Sequence, residues 1–153
     1  VPLLIRPDDL SGAASRALVA AHLVGMYENT PVESVHALGL DRLTDDGVTM
    51  WSAWVDDELA GIGACKDLGD DRAELKSMRV VESFLGQGIG RAILRHIMDD
   101  ARERGIRSLW LETGSTDDFV AARKLYASEG FAECPPFPPY APDPLSTFMT
   151  REL

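Results

Sequence analysis

Apolar and polar positions divide the chain into short runs of two periods. Residues 3–6 (LLIR) predict a brief strand. Asp8, Asp9 and Ser11 supply helix-start chemistry, and Ala14, Leu18, Ala21 and Val24 recur at helical spacing, which predicts a helix to about Glu28. From Asn29 to Asp46 the pattern is mixed. Residues 48–55 (VTMWSAWV) and 59–66, parted by Asp56-Asp57-Glu58, predict a hairpin. A turn at Gly69-Asp70-Asp71 feeds a third strand over 73–81, so these three strands are expected to be antiparallel neighbours.

The next segment changes character. Leu85-Gly86-Gln87-Gly88-Ile89-Gly90-Arg91 opens a helix whose apolar face is Ile89, Ala92, Ile93, Ile97, Met98 and Ala101, and Gly105 ends it. Residues 106–112 (IRSLWLE) predict a strand parallel to the one before, because a crossover helix joins them. Thr116, Asp117 and Asp118 begin a further helix with an acidic first turn, which stops at Gly130. A proline-rich loop, CPPFPPYAPDP, leads to a last strand over 146–152. Strands and helices in this order give one mixed α/β (α+β) domain, with a mostly antiparallel sheet flanked by helices.

Composition narrows the partners. Fifteen Lys and Arg stand against 25 Asp and Glu, a net charge of −10, which disfavours sequence-independent contact with nucleic acid or an anionic membrane. Within that acidic background, residues 86–107 hold five arginines and three acids, a local basic island suited to an anionic ligand. Cys65 and Cys134 form neither a zinc spacing nor a disulfide framework, and no stretch of 18 apolar residues occurs, so a cytoplasmic protein is expected. His22 and His96 lack ligand partners at i+4, and no metal is expected.

A strand that passes through three alternate glycines into a helix presents backbone N–H groups with no side chain in the way, and the helix dipole adds positive potential. That is a phosphate cradle. A nucleotide triphosphatase loop would need Lys-Ser/Thr where Arg91-Ala92 stands, and the dinucleotide fingerprint fails because Arg91 replaces its last glycine. SMRVVESFLGQGIGRAIL resembles the coenzyme A motif of the GNAT superfamily N-acetyltransferases, and ARKLYASEGF resembles the second signature of that superfamily. The resemblance extends over roughly residues 47–153, with the front matching in outline, and is nearest a bacterial subgroup of undefined substrate. Leu85, Glu82 and Phe119 depart from the family pattern, which has Arg or Gln, proline and Asn at these places. Arg91 or Arg95 would compensate electrostatically for the side chain missing at Leu85.

The resemblance implies acetyl-CoA as cosubstrate, no metal, and acetyl transfer to an amine of a small molecule or peptide by direct attack in a ternary complex. It implies that Leu85, Gly86, Gln87, Gly88, Ile89, Gly90 and Arg91 hold the cofactor, with Val80 along its pantetheine arm. It also puts the Met78 N–H at the acetyl carbonyl, where a donor serves as an oxyanion hole. The alternating rule puts Glu74, Lys76, Met78 and Val80 on one strand face. Some family members carry their general base at the position of Glu74; a salt bridge with Lys76 or across strands is the alternative. Tyr126 matches the tyrosine that protonates the leaving thiolate, against the alternative of a core aromatic. His36 lies where the family builds its acceptor pocket, Trp54 or Trp51 is expected to line a pocket, and Glu112 ends the strand after the crossover helix; His36, Trp54 and Glu112 are the candidate acceptor contacts. The proline-rich tail offers a contact for a homodimer. A non-catalytic acyl-coenzyme A binding or sensor module on the same fold is the alternative function.

Overall fold

The computed structural model describes residues 3–29 and 47–153. Seven strands form one sheet: β1 (Leu3–Pro7), β2 (Val48–Val55), β3 (Glu58–Gly69), β4 (Arg72–Val80), β5 (Ser108–Gly114), β6 (Ala132–Glu133) and β7 (Ser146–Glu152). Their order across the sheet is β1-β2-β3-β4-β5-β7-β6. Only the β4–β5 pair is parallel; the others are antiparallel. The α-helices among the described residues are α1 (Ala13–Asn29), α2 (Ile89–Glu103) and α3 (Val120–Ser128). The meander, the parallel crossover and the final strand follow the expectations from sequence. The two-residue β6 leaves no periodic signal and was not among them.

α1 begins later than its polar start suggests. Asp8 accepts from the Leu10 N–H at 2.7 Å and from the Ser15 hydroxyl at 2.6 Å, and Asp9 accepts from the Ser11 N–H at 3.0 Å. These side chains fold a turn ahead of the helix. α1 then packs Val19 and Leu18 against Met50, Ile62 and Ala64 on one sheet face. The other face carries the larger core. There Ile89, Ile93, Leu94, Ile97, Met98 and Ala101 of α2 meet Trp51, Ala53, Cys65, Ala73 and Leu75, and α3 adds Tyr126. His96 packs edge-on to Trp51, 6.0 Å between ring centres, so it belongs to this layer.

β4 does not hold one face along its length. Ile62 of β3 pairs with Arg79 and Ala64 with Lys76, so β4 carries one extra residue between these partners. Ser77 is in the left-handed region at φ 56°, as a bulge residue can be. The bulge reverses the alternation. Glu74 and Lys76 face Tyr140 on the α1 side, whereas Met78 and Val80 pack with the α2 core, contrary to the single face expected for all four.

Gly63 is where α2 approaches the sheet most closely. A Cβ there would stand 2.7 Å from Ile93 Cγ2, 2.8 Å from Met78 Sδ and 3.0 Å from Ile97 Cδ1. Gly63→Ala is therefore expected to lower stability by about 1–3 kcal/mol through overpacking, read from the denaturant midpoint at unchanged m-value.

Candidate active site

The parallel pairing of β4 and β5 is short. Arg72–Leu75 pairs with Ser108–Leu111, and beyond Leu75 and Leu111 the strands part. From Lys76 onward one edge of β4 therefore faces a gap, with backbone groups available to an extended ligand. The gap holds a cavity of about 110 Å³ whose walls include Glu74, Lys76, Ser77 and Met78 from β4, Glu112 from β5, Tyr126 from α3 and His22 from α1. Val80 continues the same strand toward the glycine turn.

At that turn, Gly86 and Gly88 have φ of 78° and 80°, and a Cβ on either would meet no protein atom within 4 Å. Left-handed backbone requires glycine here, and the space beside it is open. Gly88 caps α2, and its carbonyl accepts from the Ala92 N–H at 3.0 Å. The first N–H groups of α2, from Ile89, Gly90 and Arg91, thus point out of the helix end. The arrangement fits a pyrophosphate held by backbone donors. Leu85 stands 61% exposed and blocks nothing. The arginines of the basic island are engaged elsewhere. Arg91 bonds Glu129 at 2.7 Å and Ser128 at 2.9 Å, and Arg95 grips the same carboxylate at 2.6 and 3.1 Å. Both arginines hold the Glu129 carboxyl below its ordinary range, the Arg95 hydrogen bond most of all.

On the α1 side the cavity is built around a buried carboxylate. Glu74 Oε2 accepts from Lys76 Nζ at 3.0 Å and from the Tyr140 hydroxyl, and Lys76 also donates to Tyr140 at 2.8 Å. The salt bridge weighed from sequence is present, but it is buried rather than superficial. Tyr140 comes from the proline-rich loop, which Phe137 anchors against Trp110 and Phe148 at ring distances of 5.4 and 5.8 Å. Burial and the Glu74 carboxylate push the Tyr140 hydroxyl far up, so it donates throughout the physiological range.

Glu112 stands on the facing strand. Burial pushes its carboxyl up to about 7, with the Ser146 hydroxyl and Lys76 opposing the shift and Glu74 and Asp143 adding to it. Tyr126 is nearly enclosed, and its hydroxyl has no hydrogen-bond partner among the described residues. Burial and the nearby Glu112 carboxylate raise its pKa well above the usual phenol. Two more polar atoms at the cavity, His22 Nδ1 and Ser77 Oγ, are buried without a partner among the described residues. Burial and then the Arg79 charge depress the His22 pKa to about 4, so the imidazole is neutral at physiological pH.

The structure thus gathers Glu74, Met78, Glu112 and Tyr126 at one cavity. Trp54 is not there: Arg6 lies over its ring at 4.6 Å and its indole N–H donates to Ser52 at 2.8 Å, on the β1 side of the sheet. Trp51 is in the α2 core. His36 falls outside the described residues. Sequence reasoning missed Tyr140, a loop residue with no periodic signature, and Ser77, whose bulge no residue type announces; it set His22 aside on metal spacing alone. Phe119, where the family pattern has Asn, lays its ring over Gly114, with Cδ2 2.0 Å from where a Cβ would be. It also lines the cavity.

Comparison with known proteins places the chain in a family. The model of the Acetyltransferase (GNAT) family matches residues 16–131. The chain is 49% identical over 149 residues to the uncharacterized N-acetyltransferase YsnE of Bacillus subtilis (strain 168), covering 97% of this chain and 99% of that protein. It is 46% identical over 149 residues to the uncharacterized N-acetyltransferase YedL of Escherichia coli (strain K12), covering 97% and 94%. The solved structure of a GNAT family acetyltransferase from Elizabethkingia anophelis, with acetyl-CoA bound, shares the fold at TM-score 0.69 and 18% identity, over 99% of this chain and 98% of that one. A glycine cradle at a helix end, a strand edge left unpaired and a cavity walled by two carboxyl groups and two tyrosines occur here in a chain that belongs to the acetyltransferase (GNAT) family of N-acetyltransferase enzymes.

Proposed function

We propose that this enzyme moves the acetyl group of acetyl-CoA to an amine of a small molecule or peptide by direct attack in a ternary complex, with Glu112 as general base and Tyr126 as general acid. The observation that carries this reading is one cavity walled by a carboxyl group poised near neutrality and by a phenol held protonated. The amine nitrogen forms a bond to the acetyl carbon as the carbon–sulfur bond breaks. Glu112 takes the proton the amine loses, Tyr126 gives its proton to the leaving thiolate, and solvent returns the two groups to their starting states. A strand donor at Met78 would stabilise the oxyanion.

An alkylamine titrates near ~10, so a base must hold or remove its proton at neutral pH, and a base poised near the working pH does this best. Glu112 meets that condition. Glu74, the other candidate, already receives two donors on Oε2, which suits a group that fixes Lys76 and Tyr140 in place. The pyrophosphate is read by the backbone of residues 86–91. Gly88→Asp puts a side chain and a negative charge into that cradle and should abolish the rise in melting temperature that acetyl-CoA gives the native protein, a rise worth about 2.7 kcal/mol at 100 times Kd.

Tyr126→Phe should lower turnover by about 10²-fold or more at nearly unchanged acetyl-CoA affinity, measured by coenzyme A release with an accepted amine. A protein that binds acetyl-CoA and releases no coenzyme A with any amine would instead be a binding module. With Glu112 as base, turnover rises through an ionisation near 7, and Glu112→Gln removes that limb while Glu74→Gln retains it. The reverse result would return the role to Glu74.

Glu112 also links stability to pH. Its folded pKa, about 7, lies above the ordinary value of 4.5, so folding favours its protonated form. Its contribution is complete below about pH 4.5 and is lost as pH rises through about 7. Denaturant midpoints measured across this window should fall less steeply in Glu112→Gln than in the native protein.

A further inference from the structure

Arg79 is the next residue but one after the Ser77 bulge, and its guanidinium lies on α1. A Cβ on Gly25 would stand 3.0 Å from Arg79 Nη1 and 3.7 Å from Nη2. Glycine inside a helix costs about 1 kcal/mol relative to alanine. At position 25 it provides room for the planar group. The guanidinium is half-buried, sits beside His22, and has no acidic partner among the described residues. Lys76, the cation that lines the cavity, is already neutralised by Glu74. Two further polar atoms on this side, Ser77 Oγ and His22 Nδ1, are buried and unpartnered.

Two orphaned polar atoms in the wall of a cavity, one of them on the histidine beside a half-buried cation, are costly unless a ligand completes them. Their chemistry is specific. Arg presents a planar fork that matches a carboxylate, a hydroxyl donates to the same group, and a neutral imidazole adds a hydrogen bond without repelling an amine. Glu112, from the facing strand, lines the same cavity and favours a proton-yielding amine. The two ends of the site thus ask for opposite charges on one small molecule.

We propose that the acceptor is an amino acid, whose carboxylate is held by Arg79 and Ser77 and whose amine is presented to Glu112. This rests on the acetyl-transfer reading above and makes Arg79 the residue that determines acceptor specificity. Ser77 suits the task because the bulge turns its side chain into the cavity and leaves Met78 to the α2 core.

The test compares the twenty L-amino acids with their primary amides, which keep the amine and lose the negative charge. For the best acceptor, kcat/KM for the acid should exceed that for its amide at least tenfold, and Arg79→Gln should bring the ratio to about one, mainly through KM. Arg79→Lys should restore part of the ratio. Ser77→Gly, which tolerates the left-handed backbone, should lower it severalfold. A ratio near one in the native protein, a ratio unchanged in Arg79→Gln, or no acceptor among the twenty would overturn the proposal. Calorimetric titration of N-acetyl amino acids against N-acetyl amino amides in the presence of coenzyme A reads the same contact without turnover. Loss of acetyl transfer with this binding preference intact would count against the catalytic reading alone, whereas equal binding of acid and amide would count against Arg79 alone.

Discussion

Everything at the active site depends on where two parallel strands stop pairing. β4 and β5 share hydrogen bonds over four residues each and then diverge, so the middle of the sheet contains an opening. Ser77 explains how this happens without loss of the sheet. One extra residue in the left-handed conformation lets β4 keep its ladder with β3 while its other edge turns from β5. The same residue changes which side chains face which layer, so the strand carries polar groups to α1 and then apolar groups to α2.

The polar wall of the opening has its own logic. Glu74 and Lys76 are both buried, and burying two charges is offset only when geometry is good and other polar atoms complete the pair. Tyr140 does this from the loop, touching both partners. The loop is fixed in turn by Phe137, which sits among Trp110, Tyr140 and Phe148. Aromatic packing on one sheet face thus sets the position of a carboxylate at the centre of the molecule. The proline-rich tail is thereby part of the site's support.

Much of the fold was legible because its signals are local. The antiparallel meander follows from period-two runs and Asp/Gly turns, and the cradle follows from glycines that the structure holds at positive φ. The parallel β5 was legible from the helix before it. Tyr126 could be located from the second motif, and Glu112 from the end of the strand after the crossover helix. What failed to show depends on contacts distant in sequence. Alternation cannot reveal a bulge, so Glu74, Lys76, Met78 and Val80 looked alike. Trp54 carries the same cue as a pocket aromatic, yet Arg6 of β1 covers it. The arginines after the cradle are visible in sequence, but Glu129, which binds them both, lies at the far end of α3.

That last arrangement has a kinetic meaning. Arg91 and Arg95 stand near the cradle as if to draw in an anionic cofactor, but the carboxylate they share cancels one of their two charges. Long-range attraction needs net charge that extends beyond a Debye length of about 8 Å at physiological ionic strength, and a cluster left with one net positive charge on a protein of net charge −10 provides little. For an anion at the helix end, short-range backbone donors then carry more of the attraction than long-range steering does.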